Sequence, residues 1–181
     1  MGRTFDAVPD HLAAWMVDQP VFFVATAPLA ADGHVNLSPK GDDSFRVLSP
    51  TEVAYLDLTG SGAETIAHVR ENGRLTIMFC SFGEKPNIVR LFGRGATVLP
   101  GDPRWDELAP LFPPRDGARS IVTLAVERVM TTCGYAVPYM ELIGPRPTLT
   151  EWAARKSDDE LVAYRAEKNA VSIDGLPALD A

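Results

Sequence analysis

With two cysteines and three histidines in 181 residues, the chain is poor in the side chains that staple small secreted domains or hold transition metals. Cys80 and Cys133 are too few for a disulfide framework and stand in no paired spacing that suggests zinc. His11, His34 and His68 are scattered, none at the spacing of a metal pair on one helix. Each therefore reads as a surface or hydrogen-bonded histidine, and no metal is expected. Positive charge is outnumbered too: a formal net charge of -7 argues against the basic face with which proteins dock on a phosphate backbone, so no nucleic-acid partner is expected, although local basic clusters could still bind a small anion. No apolar run approaches a bilayer span, and the first residues carry no basic region followed by an apolar stretch and a small-residue cleavage site. The expectation is a cytoplasmic protein with reduced thiols and no membrane partner.

Familiar catalytic signatures are missing as well. There is no Gly-x-Ser-x-Gly elbow and no phosphate loop ending in Gly-Lys-Ser/Thr, which removes the usual local support for a hydrolase or a nucleoside triphosphatase. Gly60-Ser61-Gly62-Ala63-Glu64-Thr65 starts like a dinucleotide fingerprint, and Glu84 falls roughly 20 residues on, where a ribose-binding acid would stand. But Thr65 occupies the third glycine position, where helix and strand must pack closely, and the surrounding pattern lacks repeated βαβ units.

What the chain does have is a hydrophobic content of 46%, matching one folded domain with a sizeable core. Leu12, Trp15 and Met16 recur at helical spacing between Pro9 and Pro20, which predicts a short helix over residues 9–17. Six segments rich in β-branched and aromatic residues predict strands over 21–27, 34–38, 52–58, 74–81, 88–99 and 120–132, with a hairpin turn at Asp32-Gly33. Helices are predicted over 62–71, ending near Asn72-Gly73, and over 102–112. Six strands with few long crossovers favour a mainly β (α+β) antiparallel barrel with a few flanking helices. From Thr148 onward Trp152, Leu161 and Tyr164 keep helical spacing, so residues 148–181 read as a helical extension too short to bury a core of its own.

Two polar runs close strand-like segments, at 34–41 and 57–65. The second passes through Gly60 and Gly62 into a helix, so free backbone N–H groups and the positive helix end would converge there, with Lys40 of the first run adding a full charge. Each run also has an ordinary reading: Ser61 with Glu64 three residues later has the form of a capping box, and Pro39 would end a strand.

As a set, His34-Val35-Asn36-Leu37-Ser38-Pro39-Lys40-Gly41, then Tyr55-Leu56-Asp57-Leu58-Thr59-Gly60-Ser61-Gly62, Arg70-Glu71-Asn72-Gly73 and Arg74-Leu75-Thr76-Ile77-Met78-Phe79 resemble the pyridoxamine 5'-phosphate oxidase-like flavin-binding split-barrel family. The resemblance covers about residues 8–132 and implies a six-stranded split barrel over residues 1–147. It also implies a homodimer, with FMN held in a cleft at the subunit interface. Carried over position by position, it offers Asn36, Ser38 and Lys40 from the second strand and Thr59, Gly60 and Ser61 from the loop after the third. Thr65 stands one turn beyond, and Arg90 or Arg94, which share a strand face with Phe92, would reach the cofactor of the partner.

The vitamin-producing oxidase has an Arg-Lys pair just after the loop serine, where this chain has Gly62-Ala63, so pyridoxamine phosphate is disfavoured as substrate. The resemblance thus implies an FMN-dependent oxidoreductase acting on an unidentified small molecule, with no catalytic side chain assigned because the flavin carries the electrons. The alternatives are a flavin-binding or sensory module without turnover, and a deazaflavin- or haem-binding member of the same fold. Cys133, just after the sixth strand, is a candidate for the cleft mouth, and Cys80 for the core.

Overall fold

The computed structural model describes residues 2–179, so the last two residues of the extension, 180 and 181, lie outside it. Eight strands form one antiparallel sheet, in chain order β1 (Arg3–Phe5), β2 (Val21–Thr26), β3 (Asn36–Gly41), β4 (Phe45–Ser49), β5 (Glu52–Leu58), β6 (Arg74–Cys80), β7 (Ile88–Val98) and β8 (Ala118–Thr132). The sheet order is β3-β2-β6-β7-β8-β5-β4, with β1 pairing to β8 off this path. The six expected strands are all present. Of the two additions, β1 is three residues long, too short for an alternating pattern to emerge, and β4 is five residues long and half-buried along most of its length.

The edges of the sheet, β3 and β4, are consecutive in the chain and joined only by residues 42–44. So short a link forces the sheet to curl until its edges meet, although no ladder joins them, and the result is a barrel split along that seam. Asp42 and Asp43 take φ of 61° and 55° to make the turn, a left-handed conformation that aspartate tolerates better than most side chains. Pro39 does not end β3. It sits inside it opposite Phe23, which an edge strand permits because the missing N–H would face no partner. A bulge between Phe92 and Gly93 bends the long β7–β8 ladder, and a Cβ at Gly93 would stand 1.9 Å from the Ala125 carbonyl oxygen, so only glycine allows this approach.

Inside the curl the Phe22 ring lies 5.5, 5.6 and 5.4 Å from Phe45, Tyr55 and Phe79, and Val24, Ile77, Leu91 and Leu124 are fully buried around them. Helix α1 (Asp10–Val17) closes this core with Leu12 and Met16, as its spacing predicted. Helix α2 (Glu64–Asn72) ends at Gly73 in the left-handed conformation, but it begins two residues later than expected. Its N-cap is Ala63, with no side-chain hydrogen bond, so the Ser61–Glu64 capping box does not form. Helix α3 (Pro103–Leu108) continues into one 3₁₀ turn (Ala109–Leu111).

The extension forms α4 (Thr148–Ala154) and α5 (Asp158–Lys168), the latter starting with a true capping box between Ser157 and Glu160. The segment after α5 returns to the barrel, where Ala178 is buried against Ala63, Ile66 and Ala67 of the α2 start, and Arg70 donates to the Ala178 carbonyl. Among the described residues no helix is long and apolar enough to cross a membrane.

Candidate functional site

A cavity of about 730 Å³ opens at the seam of the barrel, bounded by β3, the end of β5, the loop through Gly60 and Gly62, and a stretch from Leu142 to Thr150 that runs irregularly as far as residue 147 and then enters α4. Beneath it lies Asp57, 2% exposed on β5. A carboxylate so buried must be paired, and it is paired twice. Lys40 Nζ of β3 donates to Oδ1 at 2.8 Å, and Arg119 Nε to Oδ2 at 2.6 Å, with the Ser120 hydroxyl adding a bond to Oδ2 at 3.2 Å. Burial alone would push the Asp57 carboxyl up; Lys40 and Arg119 outweigh it and hold the group below the usual carboxylate range.

Arg119 reaches this position through a β-bulge. Asp57 pairs with Ser120 and Leu58 with Ala118, so Arg119 is the extra residue of β8 and is turned toward the carboxylate. Its Nη1 donates to the Asn169 side-chain oxygen at 2.8 Å and to the Gly60 carbonyl at 3.3 Å, while Nη2 has no hydrogen-bond partner among the described residues. Arg119 lines the cavity although its side chain is only 6% exposed. Arg165 of α5 stands close by, and burial together with the charge of Arg119 lowers the pKa of its guanidinium. Two cations thus share one buried carboxylate, with a third behind them, which leaves the floor of the cavity positive. At its rim Glu64 accepts from the Ile173 backbone N–H at 3.4 Å, and Asp42 pairs with Arg115 at 3.2 Å.

The β3 wall is polar. The Asn36 amide donates to Thr26 Oγ1 at 3.1 Å and to Thr65 Oγ1 at 3.0 Å, and its oxygen accepts from the Ser38 hydroxyl at 2.9 Å. Thr26 in turn meets His68 Nδ1 at 2.9 Å, and burial lowers the pKa of that imidazole, keeping it neutral. The apolar part of the lining is Pro20, Val21, Leu56 and Leu58 on the barrel side and Leu142, Pro145 and Leu149 on the other, where Arg146 and Thr150 stand among them.

Five of the eight expected site residues therefore line one cavity: Asn36, Ser38, Lys40, Gly60 and Thr65. Thr59 lies behind the wall, its hydroxyl donating to the Gly117 carbonyl at 2.7 Å and accepting from Arg165 Nε at 2.9 Å. Ser61 is exposed and does not line the cavity. Arg90, on β7, donates to Thr132 Oγ1 at 3.0 Å away from the cavity, and Arg94 pairs with Glu127 on the surface. Cys133 is exposed and off the cavity, and Cys80 is buried, which raises the pKa of its thiol. Asp57, Arg119 and the stretch from Leu142 to Thr150 were missed in the sequence. The one available signal was an aspartate inside an otherwise apolar buried strand, which demands cations from elsewhere.

Off the cavity lining, His34 Nδ1 meets Asp174 Oδ1 at 2.7 Å and the His34 backbone N–H donates to Oδ2 at 2.8 Å, clasping the extension to the β2–β3 connection. Hydrogen bonding to Asp174, then its charge, raises the His34 pKa. A raised folded value means the clasp contributes fully below the ordinary histidine pKa of 6.5 and is lost as pH rises through the folded value. An NMR titration of the imidazole is expected to give a lower midpoint in Asp174→Asn than in the wild type; equal midpoints would show that the pair does not form.

The family model for pyridoxamine 5'-phosphate oxidase matches residues 8–133. A pyridoxamine 5'-phosphate oxidase family protein of Aspergillus flavus, ustO, is 42% identical over 97% of this chain and 77% of its own length. Among solved structures, a Lactobacillus delbrueckii protein proposed to be a pyridoxamine 5'-phosphate oxidase superposes with a TM-score of 0.53 at 20% identity, over 69% of this chain and 94% of that one. A HupZ variant from Group A Streptococcus superposes with a TM-score of 0.52 at 20% identity, over 69% and 99%. At that identity these two structures speak for the fold alone.

Proposed function

The chain belongs to the pyridoxamine 5'-phosphate oxidase family, and from that premise we propose that its cavity holds FMN and that it is a flavin-dependent oxidoreductase acting on a small molecule. The observation that carries this reading is the excess of positive charge at the cavity floor: the half-buried Lys40 and the buried Arg119 share the single carboxylate of Asp57, and Arg119 keeps a donor with no partner among the described residues. A phosphate oxygen at that donor would form a charge-assisted hydrogen bond.

The residues fit the group. Arg119, Lys40 and the backbone of Gly60 and Gly62 would take the phosphate, Asn36, Ser38 and Thr65 would offer polar contacts, and the leucines on both sides would sandwich an apolar ring. The positive charge that the loop lacks at Gly62-Ala63 is supplied here by β3 and β8. Bound flavin supplies two-electron transfer between a donor and an acceptor. The residues lining the cavity would hold and orient that ring. No histidine, cysteine, methionine or tyrosine lines the cavity, so a haem there would lack an axial ligand from the described residues of this chain.

The altered loop argues for a substrate other than pyridoxamine phosphate. Tyr135, Tyr139, Met140, Leu142 and Ile143, all more than 60% exposed within nine residues, support a homodimer that covers them and brings Arg90 toward the cofactor of the partner. The free thiols fit a cytoplasmic setting. The test is the absorbance spectrum of the purified protein, mass identification of the released chromophore, and anaerobic mixing with NADH or NADPH. FMN bleached by a donor is expected. A protein that carries no flavin and binds none on titration overturns the reading, and one that binds FMN yet is reduced by no donor is a binding module instead.

A further inference from the structure

The family match ends at residue 133, yet the floor of the cavity is completed by side chains from beyond it. We propose that the C-terminal extension is a working part of the anion site, with Asn169 as a positioning residue that fixes the Arg119 guanidinium and the Gly60 backbone together. The proposal rests on the reading that the cavity takes a phosphate-bearing flavin.

Asn169 is the residue after α5 and is fully buried. Its side-chain oxygen accepts from Arg119 Nη1 at 2.8 Å and its amide donates to the Gly60 carbonyl at 2.8 Å. Only one amide orientation satisfies both neighbours, since a flip would set the NH2 against a guanidinium and the oxygen against a carbonyl. Asparagine is therefore read at both ends. An apolar residue would strand a buried carbonyl and part of a buried cation, and an aspartate would neutralise the charge that the anion needs. The backbone of Asn169 is pinned as well, its N–H donating to the Arg165 carbonyl at 2.7 Å and its carbonyl accepting from Leu179 at 3.0 Å.

One turn earlier on the same face of α5, Arg165 donates to Thr59 Oγ1 at 2.9 Å and to the Ala118 carbonyl at 3.3 Å. Helix α5 thus grips both chain segments that shape the floor, the end of β5 and the start of β8, with two side chains. Arg119 is held at Nε by Asp57 and at Nη1 by Asn169 and Gly60, which leaves Nη2 as its donor for a ligand. Rigid presentation matters because an arginine already fixed loses little further freedom when it binds.

The test uses the full chain, stripped of flavin and titrated with FMN and with riboflavin, which lacks the phosphate. In Asn169→Ala the FMN dissociation constant is expected to rise roughly tenfold, the worth of a hydrogen bond to a charged group, while that of riboflavin stays unchanged. Asn169→Asp should lose more FMN affinity, again sparing riboflavin, because its carboxylate competes for Arg119. A merely structural role would weaken both ligands alike, and that result, or no loss for either, overturns the proposal. Should Asn169→Ala fail to fold, Asn169→Ser, which keeps a polar atom in the pocket, carries the same comparison. A wild type that does not prefer FMN over riboflavin contradicts the flavin-phosphate reading itself, whereas a wild-type preference retained undiminished in the variants contradicts only the role of Asn169.

Discussion

Replacing Arg119 by methionine is expected to weaken FMN binding roughly a hundredfold, the scale of losing a charge-assisted contact together with the cation behind it, and to remove most of the preference over riboflavin. Methionine fills much of the same volume, so the change takes away charge and donors more than packing. It also removes the partner of Asp57 Oδ2, leaving that oxygen with the Ser120 hydroxyl alone. The effect should exceed that of Asn169→Ala because the guanidinium itself is lost, not only its alignment. Fluorescence titrations of the two flavins, alongside a thermal melt to confirm folding, read the outcome. An equal loss for FMN and riboflavin would mean that Arg119 supports the wall and does not meet the phosphate.

Asp57→Asn is expected to be the most damaging single change to stability. It keeps the shape of the side chain but leaves Lys40 and Arg119 facing each other across a neutral amide, in a place where the side chains of Asp57 and Arg119 are 3% and 6% exposed. Removing one partner of a buried ion pair costs about 3–5 kcal/mol, and in a chain of this size that lowers Tm by about 6–20 °C. The pH dependence follows from the sign of the shift. The Asp57 pKa is lowered on folding, so its contribution is present above the unfolded carboxylate value of about 3.9 and disappears as pH falls through the folded value. Thermal melts at neutral pH and through the acid range should therefore show the wild type and Asp57→Asn converging as acid is added. Equal Tm values at neutral pH would show that the pair contributes nothing.

Much of the barrel was readable from local pattern. Alternation in residues 21–27 and the apolar run of 52–58 gave strands that the structure keeps, and the Leu12, Trp15, Met16 spacing gave α1. The missed β4 is half-buried along most of its length and lies between a turn and Pro50, so no period of two marks it. The mistaken capping box has a tertiary cause: the chain runs on through Gly62 and Ala63 before α2 starts, and the Glu64 carboxylate serves the Ile173 backbone from the far end of the chain instead.

The site was legible only in half. Asn36, Ser38, Lys40, Gly60 and Thr65 stand in two polar runs, and curling of the sheet brings those runs to one cavity. Arg119 escaped because it stands one residue before the expected strand 120–132, and the bulge that turns it toward Asp57 lies in the two residues by which β8 begins earlier. Asn169 and Arg165 escaped because nothing local to α5 signals that its inner face grips loops more than a hundred residues earlier. Lys40 was legible as a charge but not as a paired one, since its partner is two elements away.

The most direct measurement is a crystal structure of the protein with FMN bound. The account predicts phosphate oxygens within about 3 Å of Arg119 Nη2 and of the backbone N–H groups around Gly60 and Gly62, with the Arg119–Asn169–Gly60 contacts intact. FMN seated in the cavity with its phosphate directed away from Arg119, or bound elsewhere on the barrel, would contradict it.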